Sequence, residues 1–258
     1  MDSILYSVNE NVATLTLNRP EKYNSFNREM ALMLQEYIKK ADADNEVRCI
    51  LIKGQGKAFS AGQDLSEVTG ANPVSFKKIL SEHYNPLIKI IRNSGKPVIA
   101  AVNGVAAGAG ANIALCCDIV LASTSASFIQ AFSKIGLIPD SGGTYFLPRL
   151  IGFQKALALA ISGDKVTSAE AEKIGMIYKV FDDNTFETEC DVFSRNIAQM
   201  PTSAISYIKK AFNASMNNTL EQQLILEDKF QLICSSSDDY IEGVNAFIEK
   251  RKPIFKGK

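Results

Sequence analysis

Short apolar runs alternate with helical patterns in the first half of the chain. Residues 4–8 and 12–17 read as two strands on either side of a polar turn, which predicts a β-hairpin. Apolar residues recur at intervals of four within residues 27–43, which predicts an amphipathic helix. We therefore expect the chain to begin with a hairpin and a helix.

A strand that runs into a loop of small residues and then into a helix occurs twice. The repeat consists of strands 47–52 and 97–102, loops 54–62 and 103–110, helices 74–92 and 111–116, and a further strand 119–122. Such repeats predict an α/β fold whose functional site lies at the loops that follow the strands. After Gly143 the pattern is mostly helical as far as Ile248, which predicts a helical C-terminal region.

The composition excludes several classes of protein. The 258 residues include 28 Lys+Arg and 28 Asp+Glu, and this neutral balance argues against nucleic-acid binding, which depends on an excess of positive charge. His83 is the only histidine, so most multi-histidine metal sites are excluded and no metal is expected. The five cysteines form no C-x-x-C pair, which is typical of reduced thiols in a cytoplasmic protein.

One uncharged stretch, residues 98–117, imitates a membrane span. It contains Asn103, Asn112 and three glycines, and Pro97 precedes it. A buried strand, turn and helix account for this composition better than a bilayer does. The first residues, 1–3, also lack the basic and apolar regions of a signal peptide. We therefore expect a cytoplasmic protein that does not bind membranes.

The two glycine-containing loops have two interpretations at this level. Neither completes the G-x-G-x-x-G pattern of dinucleotide sites, and the chain has no G-x-x-x-x-G-K-[ST] phosphate loop. Small residues at the starts of helices leave backbone N–H groups free, and two such loops facing each other can hold an oxyanion. The alternative is that the small residues merely permit close packing of helix and sheet.

Asp140 lies between an apolar run and the turn 141–143, directly before a predicted helix. Aspartate is a favoured N-cap residue, so a structural role is one interpretation. A catalytic carboxylate is the other interpretation, and the pattern alone leaves both open.

Five segments in order resemble the crotonase superfamily, the enoyl-CoA hydratases and isomerases. The segments are 17–20, 59–65, 103–110, 136–144 and 250–255. The resemblance implies an α/β fold, with a crotonase-like spiral of ββα repeats over residues 1–200 and a helical C-terminal trimerisation region over residues 201–258. It also implies an acyl-CoA thioester substrate, no cofactor other than the coenzyme A that the substrate carries, and a homotrimer or dimer of trimers.

The resemblance assigns the chemistry to two backbone groups and one carboxylate. It places the N–H groups that hold the thioester oxygen on Gln63 and Ala109. The two glutamates of the hydratases fall on Asn112 and Phe132, neither of which can carry a proton. Asp140 falls where the isomerases and the aryl-CoA dehalogenases place a carboxylate, and the absence of Trp argues against dehalogenation. In this context a catalytic Asp140 and an isomerase are favoured.

Within the isomerases, segments 59–65, 84–87 and 136–144 are most similar to enzymes that rearrange ring-epoxide phenylacetyl-CoA. The resemblance groups these enzymes with those that shift the double bond of a 3-enoyl-CoA. It also implies contacts with coenzyme A or the acyl group at several positions. These positions are Lys22, Ala61, Asp64, Leu65, Tyr84, Phe132 and Lys252.

Two other functions remain open. The first is an enoyl-CoA hydratase that adds water to a 2-trans-enoyl-CoA, with Asp140 handling the proton and Asn112 orienting the water. The second is a non-catalytic member that binds acyl-CoA, or RNA through its basic tail. For His83, beside Tyr84, a packed or solvated helix residue is the favoured interpretation.

Overall fold

Strands arranged in two sheets form the centre of the computed structural model, which describes residues 2–69 and 73–257. The strands are β1 (Ile4–Asn9), β2 (Val12–Leu17), β3 (Cys49–Gly54), β4 (Ala58–Ser60), β5 (Val98–Val102), β6 (Val105–Ala107), β7 (Ile119–Ser123), β8 (Ser127–Ile129), β9 (Lys165–Thr167) and β10 (Lys179–Phe181). The larger sheet has the order β1-β2-β3-β5-β7-β10, and the smaller has the order β4-β6-β8-β9. The predicted hairpin is confirmed, since β1 and β2 pair antiparallel with Asn9 opposite Val12.

Successive units of the chain add one strand to each sheet. β3, β5 and β7 lie parallel in the larger sheet, and the strands that follow them, β4, β6 and β8, lie parallel in the smaller one. Because the units share one direction, the carboxyl ends of the parallel strands lie at the same edge of each sheet. The predicted α/β spiral of repeats is therefore confirmed.

Helices cover the sheets and form most of the C-terminal part. They are α1 (Arg28–Ala43), α2 (Ser66–Thr69), α3 (Phe76–Lys78), α4 (Asn85–Asn93), α5 (Ala109–Leu115), α6 (Gly143–Ile151), α7 (Phe153–Ser162), α8 (Ser168–Lys173), α9 (Phe186–Ala198), α10 (Thr202–Ser215), α11 (Leu220–Ser235) and α12 (Asp238–Glu249). The first predicted helix is α1, and Asn27 caps it by accepting a hydrogen bond from the backbone N–H of Met30 at 2.9 Å. Met30, Leu34 and Ile38 are fully buried, as their spacing predicts.

The larger sheet is apolar on both faces because helices pack on both. Ile50 and Ile52 of β3 belong to the main core, which includes the buried face of α1. Cys49 and Leu51 point to the opposite face and pack in a second cluster with Phe186 of α9. Strands buried on both faces read as continuous apolar runs, which is why β3 and β5 are conspicuous in the sequence.

The helix predicted over residues 74–92 is interrupted by a π-helical turn, Ile79–Tyr84, between α3 and α4. Pro86 has no N–H to donate to the carbonyl of Glu82, four residues earlier. The side chain of Gln35 on α1 supplies this donor at 2.7 Å. Pro86 and the Gln35 donor thus lie at the C-terminal end of the π turn, which lies beside the cavity described below.

Some boundaries differ from the prediction. β3 and α5 each begin two residues away from the predicted positions, and the short strands β9 and β10 lie in a region predicted to be mostly helical. Helical periodicity does not reveal three-residue strands, because they contain too few residues to show an alternation. In the described part of the chain, no helix is both long enough and apolar enough to cross a membrane.

The C-terminal helices are tied to the rest of the chain by Arg48, directly before β3. Its guanidinium donates to the Thr202 hydroxyl at 3.0 Å and to the carbonyls of Met200 and Phe255 at 2.8 and 2.9 Å. The helical C-terminal region is thus confirmed as a structural feature. The division into parts at residue 200 stays a prediction.

Candidate active site

A mostly apolar cavity of about 200 Å³ lies where the loops after β4 and β6 meet the turn that contains Asp140. Its lining comes from four separate parts of the chain, which is typical of a site built on the loops of an α/β fold. The lining residues are Ala61, Gly62, Gln63, Leu65, Phe76, Ile79, Tyr84, Gly108, Ala109, Ala131, Phe132, Ile135, Leu137 and Asp140.

Gln63 and Ala109 bring two backbone N–H groups to this cavity. Within the described residues neither N–H donates to a protein acceptor. The two loops lie against each other, since a Cβ built on Gly62 would be 2.8 Å from the carbonyl oxygen of Ala107 and 3.3 Å from the nitrogen of Ala109. Gly62 also has φ of +91°, a conformation that glycine adopts readily. The two loops that carry Gln63 and Ala109 therefore meet, and both residues line one cavity, while their role in holding an oxyanion stays a prediction.

Asp140 is the one carboxylate among the described residues that line the cavity. Burial raises its pKa from the ordinary 3.8 to about 6, although a hydrogen bond from the Ser141 hydroxyl at 2.9 Å acts in the opposite direction. The N-cap of α6 is Gly142, and its first helical residue, Gly143, bonds to the backbone carbonyl of Asp140 rather than to its carboxylate. The N-cap interpretation of the Asp140 side chain is therefore wrong.

Asn112 holds the backbone of Asp140 in place. Its Nδ2 donates to the carbonyl oxygen of Asp140 at 2.9 Å, and its Oδ1 accepts from Nε2 of Gln130 at 2.8 Å. The side chain is 1% exposed and packs against Gly143, where a Cβ would collide with it. The sequence suggested Asn112 only as a residue that orients water in a hydratase, whereas here it does not line the cavity and bonds to the Asp140 backbone. Its partner Gln130 has no recognisable signal in the sequence.

Phe132 forms an apolar wall of the cavity beside the Asp140 turn. Its side chain is buried, and its Cζ lies 3.8 Å from the position that a Cβ on Gly108 would occupy. Ile79 and Leu137 add further apolar lining. Such surroundings exclude water and disfavour charge, which is the physical cause of the raised pKa of Asp140.

Tyr84 and Gln63 form a polar pair inside this apolar lining. The Tyr84 hydroxyl donates to Oε1 of Gln63 at 2.7 Å, and Nε2 of Gln63 donates to Oε2 of Glu67 at 2.9 Å. Glu67 in turn accepts from the backbone N–H of Arg28 at 2.7 Å. Burial raises the pKa of Tyr84 well above 10, and the charge of Asp140 adds to this effect. Sequence reasoning missed Glu67, although its position four residues after Gln63 suggests a side-chain contact.

His83 lies on the same π turn but is not part of the cavity lining. It is 1% exposed, and its Nε2 lies 3.5 Å from a guanidinium nitrogen of Arg28. Burial lowers the pKa of His83, and the proximity of Arg28 adds to this effect. The structure therefore agrees with the interpretation of His83 as a packed helix residue.

The residues predicted to contact coenzyme A or the acyl group fall into two groups. Ala61, Leu65, Tyr84 and Phe132 line the cavity. Asp64, Lys22 and Lys252 do not line it. For all seven residues, contact with coenzyme A or the acyl group stays a prediction.

The side chains outside the cavity have other surroundings. The carboxylate of Asp64 binds Arg19 at 2.9 Å and accepts from the Ser66 hydroxyl at 2.7 Å, which together lower its pKa although burial acts in the opposite direction. Lys22 is exposed, and Lys252 donates to Gln199 at 2.8 Å. Asp64 thus has a structural role that its position in the motif did not reveal.

A larger groove of about 530 Å³ lies on the outer face of the β1–β2 hairpin. Its cations Lys53 and Arg195 are paired with Glu187 at 2.6 Å and Glu10 at 2.7 Å. Within residues 2–69 and 73–257 no cluster of His, Cys, Asp or Glu has the arrangement of a metal site.

Comparison with known proteins identifies a family that agrees with this fold and cavity. The model of the enoyl-CoA hydratase/isomerase family matches residues 7–258, so the chain belongs to this family, which acts on acyl-CoA thioesters.

Some relatives are named as isomerases and others as hydratases. The chain is 47% identical to the 1,2-epoxyphenylacetyl-CoA isomerase of Escherichia coli (strain K12), with 100% of both chains covered. It is 42% identical to a probable enoyl-CoA hydratase of Rhodobacter capsulatus, over 99% of this chain and 98% of the relative. A crystal structure from this family, from Mycobacterium abscessus, superposes with a TM-score of 0.94 at 34% identity, over 99% of this chain and 100% of that chain.

Proposed function

We propose that the chain is an acyl-CoA isomerase that moves a double bond, or rearranges a ring-epoxide phenylacetyl-CoA, through an enolate of the thioester. The observation that carries this proposal is the solitary carboxylate of Asp140 among the described residues lining the cavity. A proton shift within one substrate needs a single group that takes a proton and returns it. Asp140, with a pKa of about 6, can perform both steps near neutral pH.

The reaction has two proton transfers and no net change in composition. For a 3-enoyl thioester, the Asp140 carboxylate removes a proton from C2, and the electron pair delocalises to the thioester oxygen and C4. The backbone N–H groups of Gln63 and Ala109 would donate to this oxygen, since both residues line the cavity and neither N–H has an acceptor in the described part of the protein. Asp140 then returns the proton to C4, which leaves the double bond between C2 and C3.

Hydration is the second candidate, and the names of several relatives favour it. Addition of water requires a group that orients the water opposite the proton donor. Asn112 is 1% exposed, does not line the cavity and bonds to Asp140 and Gln130, and Phe132 is apolar. These contacts support isomerisation over hydration.

The cavity also supports a proposal about the substrate. Its volume of about 200 Å³ suits a short unsaturated chain or a single ring, since a cavity of about 150 Å³ holds benzene. The remaining coenzyme A then lies outside, where Leu65 and Ala61 are exposed at the cavity and Lys22 and Lys252 offer positive charge for phosphates. In this proposal the coenzyme A of the substrate is the only cofactor.

The proposed assembly is a homotrimer or a dimer of trimers. The C-terminal helices expose large apolar side chains that a partner subunit would cover, among them Phe212 at 69% and Phe247 at 85% exposure. Light scattering coupled to size-exclusion chromatography tests this proposal directly, since a mass near the 28.2 kDa of one chain would contradict it.

The proposed function is tested by supplying the pure protein with crotonyl-CoA, straight-chain 3-enoyl-CoA and ring-epoxide phenylacetyl-CoA. We expect isomerisation of one of the last two, seen as a change at the ultraviolet band of the conjugated thioester or as a new product by mass spectrometry. Asp140→Asn should lower kcat by about 10²–10⁴. Fast hydration of crotonyl-CoA without a double-bond shift would establish the hydratase, and binding without turnover would establish the non-catalytic member.

A further inference from the structure

The hydrogen bonds that join Tyr84, Gln63 and Glu67 allow only one assignment of donors and acceptors. A carboxylate can only accept, so the Gln63 amide must turn its NH₂ group toward Glu67, at 2.9 Å. The amide oxygen then faces Tyr84, and because this oxygen can only accept, the Tyr84 hydroxyl must donate to it, at 2.7 Å. The position of the hydroxyl proton is therefore fixed by Glu67, two residues away in the chain of hydrogen bonds.

This direction matters because Tyr84 and Asp140 line the same cavity. After burial, the charge of Asp140 is the next cause of the raised pKa of Tyr84. The groups bonded to Asp140 are the Ser141 hydroxyl, which donates to its Oδ1 at 2.9 Å, and the neutral amide of Asn112 on its backbone, while the Tyr84 phenol lies elsewhere on the lining of the same cavity. A phenol that donated to the carboxylate, directly or through one water molecule, would stabilise the anion and weaken it as a base.

We propose that Gln63 is a positioning residue for proton transfer: its side-chain oxygen holds the Tyr84 hydroxyl proton away from Asp140. The carboxylate is then left with Ser141 as its side-chain donor and remains a stronger base than it would be with two donors. Gln63 thus acts twice in the site, since its backbone N–H lies at the cavity wall and its side chain keeps the phenol from the carboxylate. The kinetic part of this inference depends on the proposed role of Asp140, whereas the part that concerns its protonation does not.

Charged groups beyond this pair stay fixed in the experiment. Glu67 and Arg28 lie at the far end of the chain of hydrogen bonds, and Glu82 and His83 adjoin Arg28 on the π turn. None of them is substituted in the variants described below; Gln63→Met also removes the amide donor to Glu67, and the control in the Tyr84→Phe background carries the same loss. A displaced titration of Asp140 therefore reports on the phenol proton and not on a new charge.

The test is a titration of Asp140 by ¹³C NMR on protein labelled at the aspartate carboxyl carbon, with the Asp140 signal assigned by its loss in Asp140→Asn. Gln63→Met keeps the backbone N–H and the length of the side chain but removes the oxygen that accepts from Tyr84. We expect this variant to lower the pKa of Asp140 by about one unit, the effect of one added hydrogen bond to a charged group. The acidic limb of kcat/KM for the isomerisation should move by the same amount.

The matched control is Gln63→Met in the background of Tyr84→Phe. Without the hydroxyl there is no proton to redirect, so we expect the titration of Asp140 to agree with that of Tyr84→Phe alone. Tyr84→Phe by itself should leave the pKa of Asp140 within a few tenths of a unit, because the phenol does not donate to the carboxylate in the native protein. If Gln63→Met does not fold, a marked rise of the Asp140 pKa in Tyr84→Phe would still contradict the inference.

Three outcomes would overturn the inference. The first is an unchanged titration in Gln63→Met, the second is the same shift with and without the Tyr84 hydroxyl, and the third is a marked rise of the Asp140 pKa in Tyr84→Phe. A protein that isomerises acyl-CoA but shows one of these outcomes refutes only this inference. A protein without isomerase activity refutes the proposed function, and the NMR titration still decides the positioning role of Gln63.

Discussion

The side-chain amide of Asn112 donates to the backbone carbonyl of Asp140 at 2.9 Å. This contact joins the helix that begins at Ala109 to the turn that contains the carboxylate. Because Ala109 also carries one of the two free N–H groups at the cavity wall, one short helix sets the distance between that N–H and the carboxylate. The two parts of the proposed chemistry are thus built on a common support.

Removal of this support should reduce both stability and activity. Asn112→Ala leaves the Gln130 amide without its partner and the Asp140 carbonyl with only the Gly143 N–H as a donor, at a cost of about 1–3 kcal/mol in the free energy of unfolding. A displacement of the carboxylate by about 1 Å would lower kcat by about 10²-fold. Urea denaturation and isomerase assays measure the two effects. Asn18→Ala, which removes a similar bond from an amide to the Asp2 carbonyl at the surface, is the control.

The ionisation of Asp140 should cost stability at neutral pH. Its folded-state pKa of about 6 lies above the ordinary 3.8, so the carboxyl stabilises the fold fully below about pH 4, and this contribution is lost as the pH rises through 6. We therefore expect Asp140→Asn to be more stable than the native protein at pH 7.5, by at most about 3 kcal/mol at 1.36 kcal/mol per pKa unit.

The same comparison at low pH is the internal check. Denaturation curves of the two proteins should converge as the pH falls to 4, because the native carboxyl is then protonated. Asp164→Asn changes an exposed aspartate and should show no comparable difference at either pH. An Asp140→Asn variant with equal or lower stability at pH 7.5 would mean that the carboxylate is not destabilised by its surroundings.

The sequence predicts the fold well where structure depends on local pattern. β2, α1 and β5 agree with prediction to within a residue or two, because their apolar spacing is set by burial on one or both faces. The π turn is harder to predict from the sequence. Pro86 is visible there, but its replacement donor, Gln35, comes from a helix about fifty positions earlier. Local rules can indicate a missing hydrogen bond but cannot identify the group that replaces it.

The candidate site also has features that the sequence predicts and features that it does not. The positions of Gln63, Ala109 and Asp140 follow from motifs, because loops after parallel strands meet at one edge. The contacts of Asp64 with Arg19 and of Gln63 with Tyr84 depend on side-chain directions, which a motif does not specify. The sequence therefore indicates which residues lie near the cavity but not how their hydrogen bonds are directed.

Phe132 should control the basicity of Asp140 by excluding water. Phe132→Ala opens the apolar wall, so hydration of the carboxylate should lower the pKa of Asp140 by about one unit from about 6 toward 3.8. The acidic limb of the kcat/KM profile would move to lower pH by the same amount. Phe132→Leu keeps an apolar wall and is expected to move it little. An equal displacement in both variants would indicate a change of geometry rather than of hydration.

Gly62 should be indispensable for the pair of free N–H groups. A methyl group at this position would lie 2.8 Å from the Ala107 carbonyl oxygen and 3.3 Å from the Ala109 nitrogen, so Gly62→Ala must separate the two loops. We expect kcat to fall by about 10²–10³-fold, the effect of losing one oxyanion donor. Gly152→Ala separates this effect from simple backbone strain, because Gly152 has φ of +78° but no atom within 4 Å of an added Cβ. Both variants should lose about 1 kcal/mol or more of stability, whereas only Gly62→Ala should lose turnover. An equal loss of turnover in both variants would show that the spacing of the two loops does not govern the reaction.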